Sequence, residues 1–247
     1  MRITEEIADI AYTETKQFFK NRAGKFREDN PYSVTMYQDN NKELVKERNA
    51  KEIARLYPFL ELNKDAAVLD IACGIGRWAD AICTDIKEYC GIDFSKELVE
   101  IARKRNMKEN FFFYEGAVSE IDEVLKANQK AKYNRVLMVG ILMYLNDSDV
   151  INALEQVERN CEEHTIICIR EPIGIKERLT LKQFFSDELQ DNYNAIYRTR
   201  EELMRFFEMV VLKRGFQIKE EGFLFHEDSL NNRKETAQYY YVLERLV

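Results

Sequence analysis

Three prolines and nine glycines are spread thinly over 247 residues, so no segment reads as a flexible linker and no tethered tandem architecture is expected. No apolar run approaches the roughly 20 residues that a membrane-spanning helix needs. The start, Met1-Arg2-Ile3-Thr4-Glu5-Glu6, has no apolar stretch behind it, and a signal peptide is not expected. Basic residues do not predominate: 37 stand against 44 acidic ones, a net charge of −7. A protein that lives on phosphate neutralisation carries the opposite balance or a basic stripe, so nucleic acid is not an expected partner. The five cysteines, Cys73, Cys83, Cys90, Cys161 and Cys168, are odd in number and form no CxxC pair. That pattern predicts neither disulfides nor a zinc site. It suits reduced thiols in the cytoplasm, packed as small apolar groups, with no metal bound.

Hydrophobic residues make up 45% of the chain, enough for the core of one large α/β domain or a domain plus a cap. Residues 1–64 read as a helical cap. Ile3, Ile7, Ile10 and Phe18 share one helical face, and Leu44, Ile53, Leu56 and Leu60 suggest a second amphipathic helix, with an irregular stretch over 30–40 between them. From residue 65 the texture changes. Apolar runs at 67–71, 89–92, 111–114, 135–139 and 165–169 each precede a turn signal and then a helical pattern, which predicts βαβ units in a parallel sheet. Thr199-Arg200-Glu201-Glu202 is a capping box opening a helix through Val211, which Gly215 can end. Two strand-like runs, 216–225 and 238–243, then follow without a crossover helix, which implies an antiparallel pair completing seven strands.

The sharpest local signal is Val68-Leu69-Asp70-Ile71-Ala72-Cys73-Gly74-Ile75-Gly76, a strand running into a turn where the backbone can approach a ligand closely. Gly91-Ile92-Asp93-Phe94-Ser95 places a carboxylate at the end of the second strand, where it can accept ribose hydroxyls. Gly74-x-Gly76-x-x-Ala79 formally matches a dinucleotide fingerprint, which keeps an NAD-dependent oxidoreductase in view. Asp70, however, would meet a pyrophosphate with like charge, and the terminal strand pair takes the place of a second mononucleotide half. S-adenosylmethionine (SAM) carries no phosphate, and its ammonium suits an acid near that loop.

From about Ala66 onward the chain resembles class I SAM-dependent methyltransferases, on the strength of Asp70-x-Ala72-x-Gly74-x-Gly76 and Asp93. The resemblance implies a Rossmann-like seven-stranded sheet of order 3-2-1-4-5-7-6 with strand 7 antiparallel. It further implies that Asp70, Ala72, Cys73, Gly74, Gly76, Asp93, Phe94, Gly116, Ala117, Met138 and Val139 border SAM. Ala72 departs from the family's first glycine and should tolerate only modest left-handed strain. The N-terminal segment and the loops after Arg170 more loosely resemble methyltransferases of bacterial surface-polysaccharide and secondary-metabolite pathways. Asn30-Pro31-Tyr32 resembles the signature of amine methyltransferases acting on DNA bases or glutamine, but it lies before the first strand and not after the fourth.

Methyl transfer is an in-line displacement, so catalytic candidates must lie at the carboxyl edge of the sheet. His226 qualifies as a base or a plain loop residue; His164, before the fifth strand, sits at the opposite edge. Arg170 would hold an anionic acceptor and Glu171 act as base or orienting group, unless they pair with each other or the cap. Tyr144 either touches substrate or is a core aromatic. From the cap, Tyr37, Gln38, Asp39 and Arg48 are candidates to reach the SAM carboxylate or the acceptor, with Arg22 and Lys25 adding positive charge. Tyr193, Tyr197, Arg198 and Arg200 lie in an insertion at about 171–199 that would wall the substrate. The reading is transfer of a methyl group to an oxygen, less readily a nitrogen, of a small polar, anionic or sugar-derived molecule by a monomer or homodimer. The alternative is a non-catalytic SAM-binding regulator or assembly partner.

Overall fold

A computed structural model describes every residue except Glu5, Gln38, Asn232 and Val247. Five buried apolar runs form parallel strands: β2 (Ala67–Ile71), β3 (Glu88–Asp93), β4 (Phe111–Glu115), β5 (Tyr133–Val139) and β6 (Cys161–Gly174). β10 (Thr236–Arg245) pairs antiparallel with both β6 and β9 (Gln217–Phe223), giving the order β4-β3-β2-β5-β6-β10-β9. Numbered within this sheet, that is the expected 3-2-1-4-5-7-6 with its last strand reversed. All five residues of β2 are buried, as a strand covered by helices on both faces requires.

On one face pack α6 (Ile121–Ala127), α7 (Asp147–Arg159) and α8 (Arg200–Met209), around Leu69, Val136, Ile167, Leu154 and Phe207. On the other lie α3 (Lys42–Leu56), α4 (Arg77–Ala81) and α5 (Lys96–Arg105), over Val68, Tyr89, Leu137 and Cys168. Four of the five cysteines are buried in this framework and Cys83 is exposed, all with free thiols. The predicted capping box forms: Thr199 Oγ1 accepts from Glu202 N at 3.2 Å, and Thr199 N donates to Glu202 Oε2 at 2.9 Å. α8 ends near Met209, and Gly215, at φ +86°, closes the short turn beyond it.

The cap differs from expectation in two ways. Ile3, Ile7 and Ile10 lie outside the first helix: β1 (Arg2–Ile3) pairs with β7 (Leu179–Ser186), Ile7 is 69% exposed, and α1 runs Tyr12–Gly24. Ile3 is drawn into a sheet edge opposite Thr180, and tertiary pairing there overrides the helical spacing. The insertion, in turn, is a β-hairpin of β7 and β8 (Asp191–Tyr197), so the cap carries a three-stranded sheet beside its helices. Its own core joins Phe18 of α1 to Leu179, Leu181, Tyr193 and Tyr197 of the hairpin and to Met143 and Tyr144 from the main domain. Within the irregular stretch, α2 (Ser33–Met36) ends at Tyr37, whose φ is +58°.

The hairpin's last residues are bolted to the main domain by Arg198, only 1% exposed. Its guanidinium donates to Leu142 O and Leu145 O, both at 2.7 Å, and to Asp147 Oδ1 at 2.6 Å. Asp147 also holds Arg178 at 2.9 Å. An Arg198→Met substitution leaves two carbonyls and a carboxylate short of donors, and should lower unfolding stability by about 3–5 kcal/mol. Urea denaturation checks this; a loss under about 1 kcal/mol would show that the fork is dispensable.

Candidate active site

At the C-terminal end of β2 the chain turns through three left-handed residues: Ala72 at φ +58°, Gly74 at +56° and Gly76 at +76°. Ala72 thus adopts fully the conformation that glycine takes at no steric cost, at a penalty of about 1–2 kcal/mol. Gly74 leaves no room for a side chain, since an added Cβ would lie 2.9 Å from the Thr35 methyl of the cap. Gly74 N donates to Asp93 Oδ2 and Ser95 N to Asp93 Oδ1, both at 2.9 Å, so Asp93 at the end of β3 fastens the glycine turn to the start of α5. Burial raises its carboxyl to about 6 against those two N–H donors. Each oxygen keeps a lone-pair site, which suits a pair of ribose hydroxyls.

Two cavities open along this edge, sharing Tyr144 as a common wall. The smaller, about 200 Å³, is lined by Phe94, Ala117, Val118, Ile141 and Leu145, an apolar slot of the kind an adenine ring fills. The larger, about 340 Å³, lies under α3 and the β7–β8 hairpin and contains Arg48, Arg170, Arg233, Tyr37, Val139 and Gly140. Between them the cap reaches down. Phe19 stands edge-on to Phe94 at 5.6 Å and to Tyr144 at 5.1 Å, and the Tyr37 and Tyr144 hydroxyls share a hydrogen bond of 2.6 Å. Burial pushes Tyr37 up to about 12 and Tyr144 also well above its ordinary value, so both rings stay neutral.

The charges in the larger cavity are arranged around Glu52 of α3. It is 1% exposed, takes a hydrogen bond from Arg77 and pairs with Arg170 Nε at 3.0 Å. Burial works against its ionisation, but Arg170 and Arg77 outweigh it and hold its carboxyl below the ordinary value. Arg170 Nη1 also reaches Gln238 Oε1 at 3.1 Å. Arg48 is 5% exposed, and its Nε has no hydrogen-bond partner among the described residues.

Several expectations are corrected by this geometry. Glu171 faces away from the cavities: Oε1 accepts from Ile141 N and Leu142 N, both at 2.8 Å, and Oε2 from Met143 N at 3.1 Å. Strand alternation sends Arg170 to the cavity and Glu171 into the opposite core, so a carboxylate clamped by three N–H groups replaces the expected base. Burial still lifts Glu171 to about 7 against those donors. His226 is exposed and lines neither cavity, while His164 sits in a groove at the opposite edge with Asn134 and Arg135, as read from the sequence.

Asp70 lies beneath the glycine turn with its carboxylate on the Tyr89 hydroxyl, and burial raises it to about 7; it lines neither cavity. Met138 is packed inside the core and Cys73 is a buried thiol pushed up by burial, whereas Val139 does reach the larger cavity. Gly116 N donates to Asp93 O at 3.0 Å, which sets Ala117 against the apolar slot. Arg22 is fully buried, donating to Asp39 at 2.6 Å and to Ser33 O at 2.5 Å, so it shapes the cap loop and adds no free charge to the site. Lys25 donates to Leu189 O, and Arg200 pairs with Glu221 away from both cavities. Gln38 lies outside the described residues.

Sequence reading missed Glu52 and Phe19. The signal for Glu52 was present: Arg48 and Glu52 occupy the buried stripe Val45–Arg48–Glu52–Leu56 of α3, where polar residues at i and i+4 interrupt an otherwise apolar face.

Residues 68–164 match a family model described as a methyltransferase domain. A 94-residue stretch is 31% identical to the 23S rRNA (uracil(1939)-C(5))-methyltransferase RlmD of Aliivibrio salmonicida, covering 36% of this chain. The chain spans only about a fifth (21%) of that relative's length. Among solved structures, the fold is similar to a putative SAM-dependent methyltransferase from Listeria monocytogenes, at TM-score 0.61 and 17% identity over 81% of this chain and 99% of that one. It is also similar to the Haemonchus contortus phosphoethanolamine N-methyltransferase 1, at TM-score 0.66 and 16% identity over 93% of this chain and 48% of that one. The N-methyltransferase NodS of Bradyrhizobium japonicum, solved with S-adenosylhomocysteine, superposes at TM-score 0.60 and 11% identity over 95% of this chain and 100% of that one.

An Asp93 that accepts ribose hydroxyls must be ionised, so on that assignment cofactor affinity should be full above a pH of about 6 and fall as pH drops through it. Calorimetric titration of S-adenosylhomocysteine at pH 5 and pH 8 measures this, and equal affinity at both would remove Asp93 from that role. The glycine turn, the acid after the second strand, the sheet order and the family match identify residues 68–164 as a methyltransferase domain of the Rossmann-like class I kind, with SAM as its methyl donor.

Proposed function

We propose that the chain is an active methyltransferase whose acceptor is a small, polar, anionic molecule bound in the 340 Å³ cavity beneath the hairpin. That cavity is the observation that carries the reading. Its size is in the usual range for small-ligand sites, and it is walled by the cap and hairpin. SAM supplies an electrophilic methyl group. Phe94, Ala117 and Ile141 would seat its adenine, Asp93 its ribose, and the Ala72–Gly76 turn its amino acid portion.

The protein's part is chiefly alignment and exclusion of water, an orientation effect worth up to roughly 7–11 kcal/mol. Tyr144 touches both cavities and, held by Tyr37, fixes where donor and acceptor meet. Arg48 and Arg233 bring positive charge to a cap-covered space, which favours a phosphate or carboxylate on the acceptor. The similarity to RlmD is confined to about a third of this chain and carries no acceptor with it. Net charge −7 and free thiols suit a cytoplasmic enzyme acting on metabolites, as monomer or homodimer.

Methyl-labelled SAM incubated with a cell extract divided by size and by anion exchange provides the test. S-adenosylhomocysteine should form only with the small, anion-retained fraction, and Asp93→Ala should abolish it. Turnover confined to the macromolecular fraction would overturn the small acceptor, and binding without any turnover would favour a regulator.

A further inference from the structure

Among the described residues the larger cavity is lined by three arginines, Arg48, Arg170 and Arg233, against three acids, Glu52, Asp187 and Glu188, and by no histidine. Arg48 is 5% exposed and lines the cavity with an unpartnered Nε, among the described residues. Arg233 lines it too, donating to the Tyr193 hydroxyl and lying 5.0 Å from the Phe184 ring, with no carboxylate within ion-pair distance among the described residues. Neither histidine reaches the cavity. Glu52 is held between Arg77 and Arg170, and Glu171 is turned away onto three N–H groups. Tyr37 and Tyr144 bond each other. The remaining acids of the lining, Asp187 and Glu188, stand at the turn between β7 and β8, where partial burial raises the Glu188 carboxyl while Arg48 and Arg233 pull it back. A hydroxyl acceptor generally calls for a base whose pKa lies near the working pH, and among the described residues the lining offers only Glu188, at the rim and facing Arg48 and Arg233. A carboxylate is already ionised and needs none.

We infer that the acceptor is a small carboxylic acid, held by Arg48 and Arg233 and methylated on a carboxylate oxygen to give a methyl ester. The inference rests on the methyltransferase reading above and deepens it. One carboxylate oxygen accepts from a guanidinium, and the other keeps its lone pairs for reaction. That second oxygen attacks the methyl carbon of the donor. An O–CH₃ bond forms as the S–CH₃ bond breaks, and the electron pair stays on sulfur, leaving the neutral thioether of S-adenosylhomocysteine. No proton moves. A negative and a positive charge are cancelled together, a change that a water-poor cavity favours.

Methyl esters hydrolyse in alkali and release volatile methanol, whereas methyl ethers and methylamines do not. The full chain is incubated with methyl-labelled SAM and either a small-molecule cell extract or a panel of hydroxy-, amino- and dicarboxylic acids with their matched primary amides. The product is then made alkaline and volatile label counted. Volatile label from the acids and not from the amides is expected. Arg48→Met should lower it roughly thirtyfold or more, and Arg48→Lys less. S-adenosylhomocysteine affinity, unchanged in both variants, shows that the fold and donor site persist. Label that stays non-volatile overturns the ester and leaves the methyltransferase standing. Loss of S-adenosylhomocysteine affinity in both variants reassigns Arg48 to the donor and also overturns the inference. No incorporation with either source overturns both.

Discussion

The loop that follows β5 holds the site together, because it is gripped from two sides by buried charges of opposite sign. Glu171 takes the N–H groups of Ile141, Leu142 and Met143, while Arg198 takes the carbonyls of Leu142 and Leu145. Neither charge has water to share. Glu171 is satisfied by main-chain N–H groups, and Arg198 by two main-chain carbonyls together with the Asp147 carboxylate, which is how such groups survive in a core. The loop so fixed carries Tyr144 between the two cavities and Ile141 into the apolar slot. Main domain and insertion therefore meet through backbone held by side chains, and the position of the reacting groups follows from that rigid seam.

A similar economy governs the larger cavity. Glu52 is shared by Arg77 at the start of α4 and Arg170 at the end of β6, so one carboxylate ties the cap helix α3 to two elements of the main domain. Two guanidiniums thus face one acid in this cluster. Arg48, one turn earlier on the same helix face, adds a third. The guanidiniums around Glu52 thus come from three elements, Arg48 of α3, Arg77 of α4 and Arg170 of β6, and the apolar members of the α3 stripe, Val45 and Leu56, hold the helix down among them.

Much of the fold was legible because its signals are local. Apolar runs separated by turns encode the parallel sheet, and Asp93 followed by Ser95 encodes both a strand end and a helix cap. Gly74 and Gly76 encode the turn, whereas Ala72, expected to take only modest left-handed strain, sits fully in the left-handed region. The cap was far less legible. Arg2–Ile3 is a strand only because residues some 180 positions later lie beside it, and two residues carry no periodicity of their own. The fate of Glu171 depended on which way a strand residue faces at a register that the sequence leaves open. Phe19 looked like any helical aromatic; its place between Phe94 and Tyr144 is a property of how α1 crosses the main domain.

The three-stranded cap sheet also orders events in time. Its strands come from residues 2–3 and from 179–197, so on a ribosome its first strand waits, unpaired, until the hairpin has been made. The βαβ units through β6 are complete before the hairpin emerges, and their contacts close shorter loops. The parallel framework that carries the glycine turn is therefore free to form early, with the larger cavity covered later. The glycine turn and Asp93 are thus in place before the hairpin that covers the larger cavity exists.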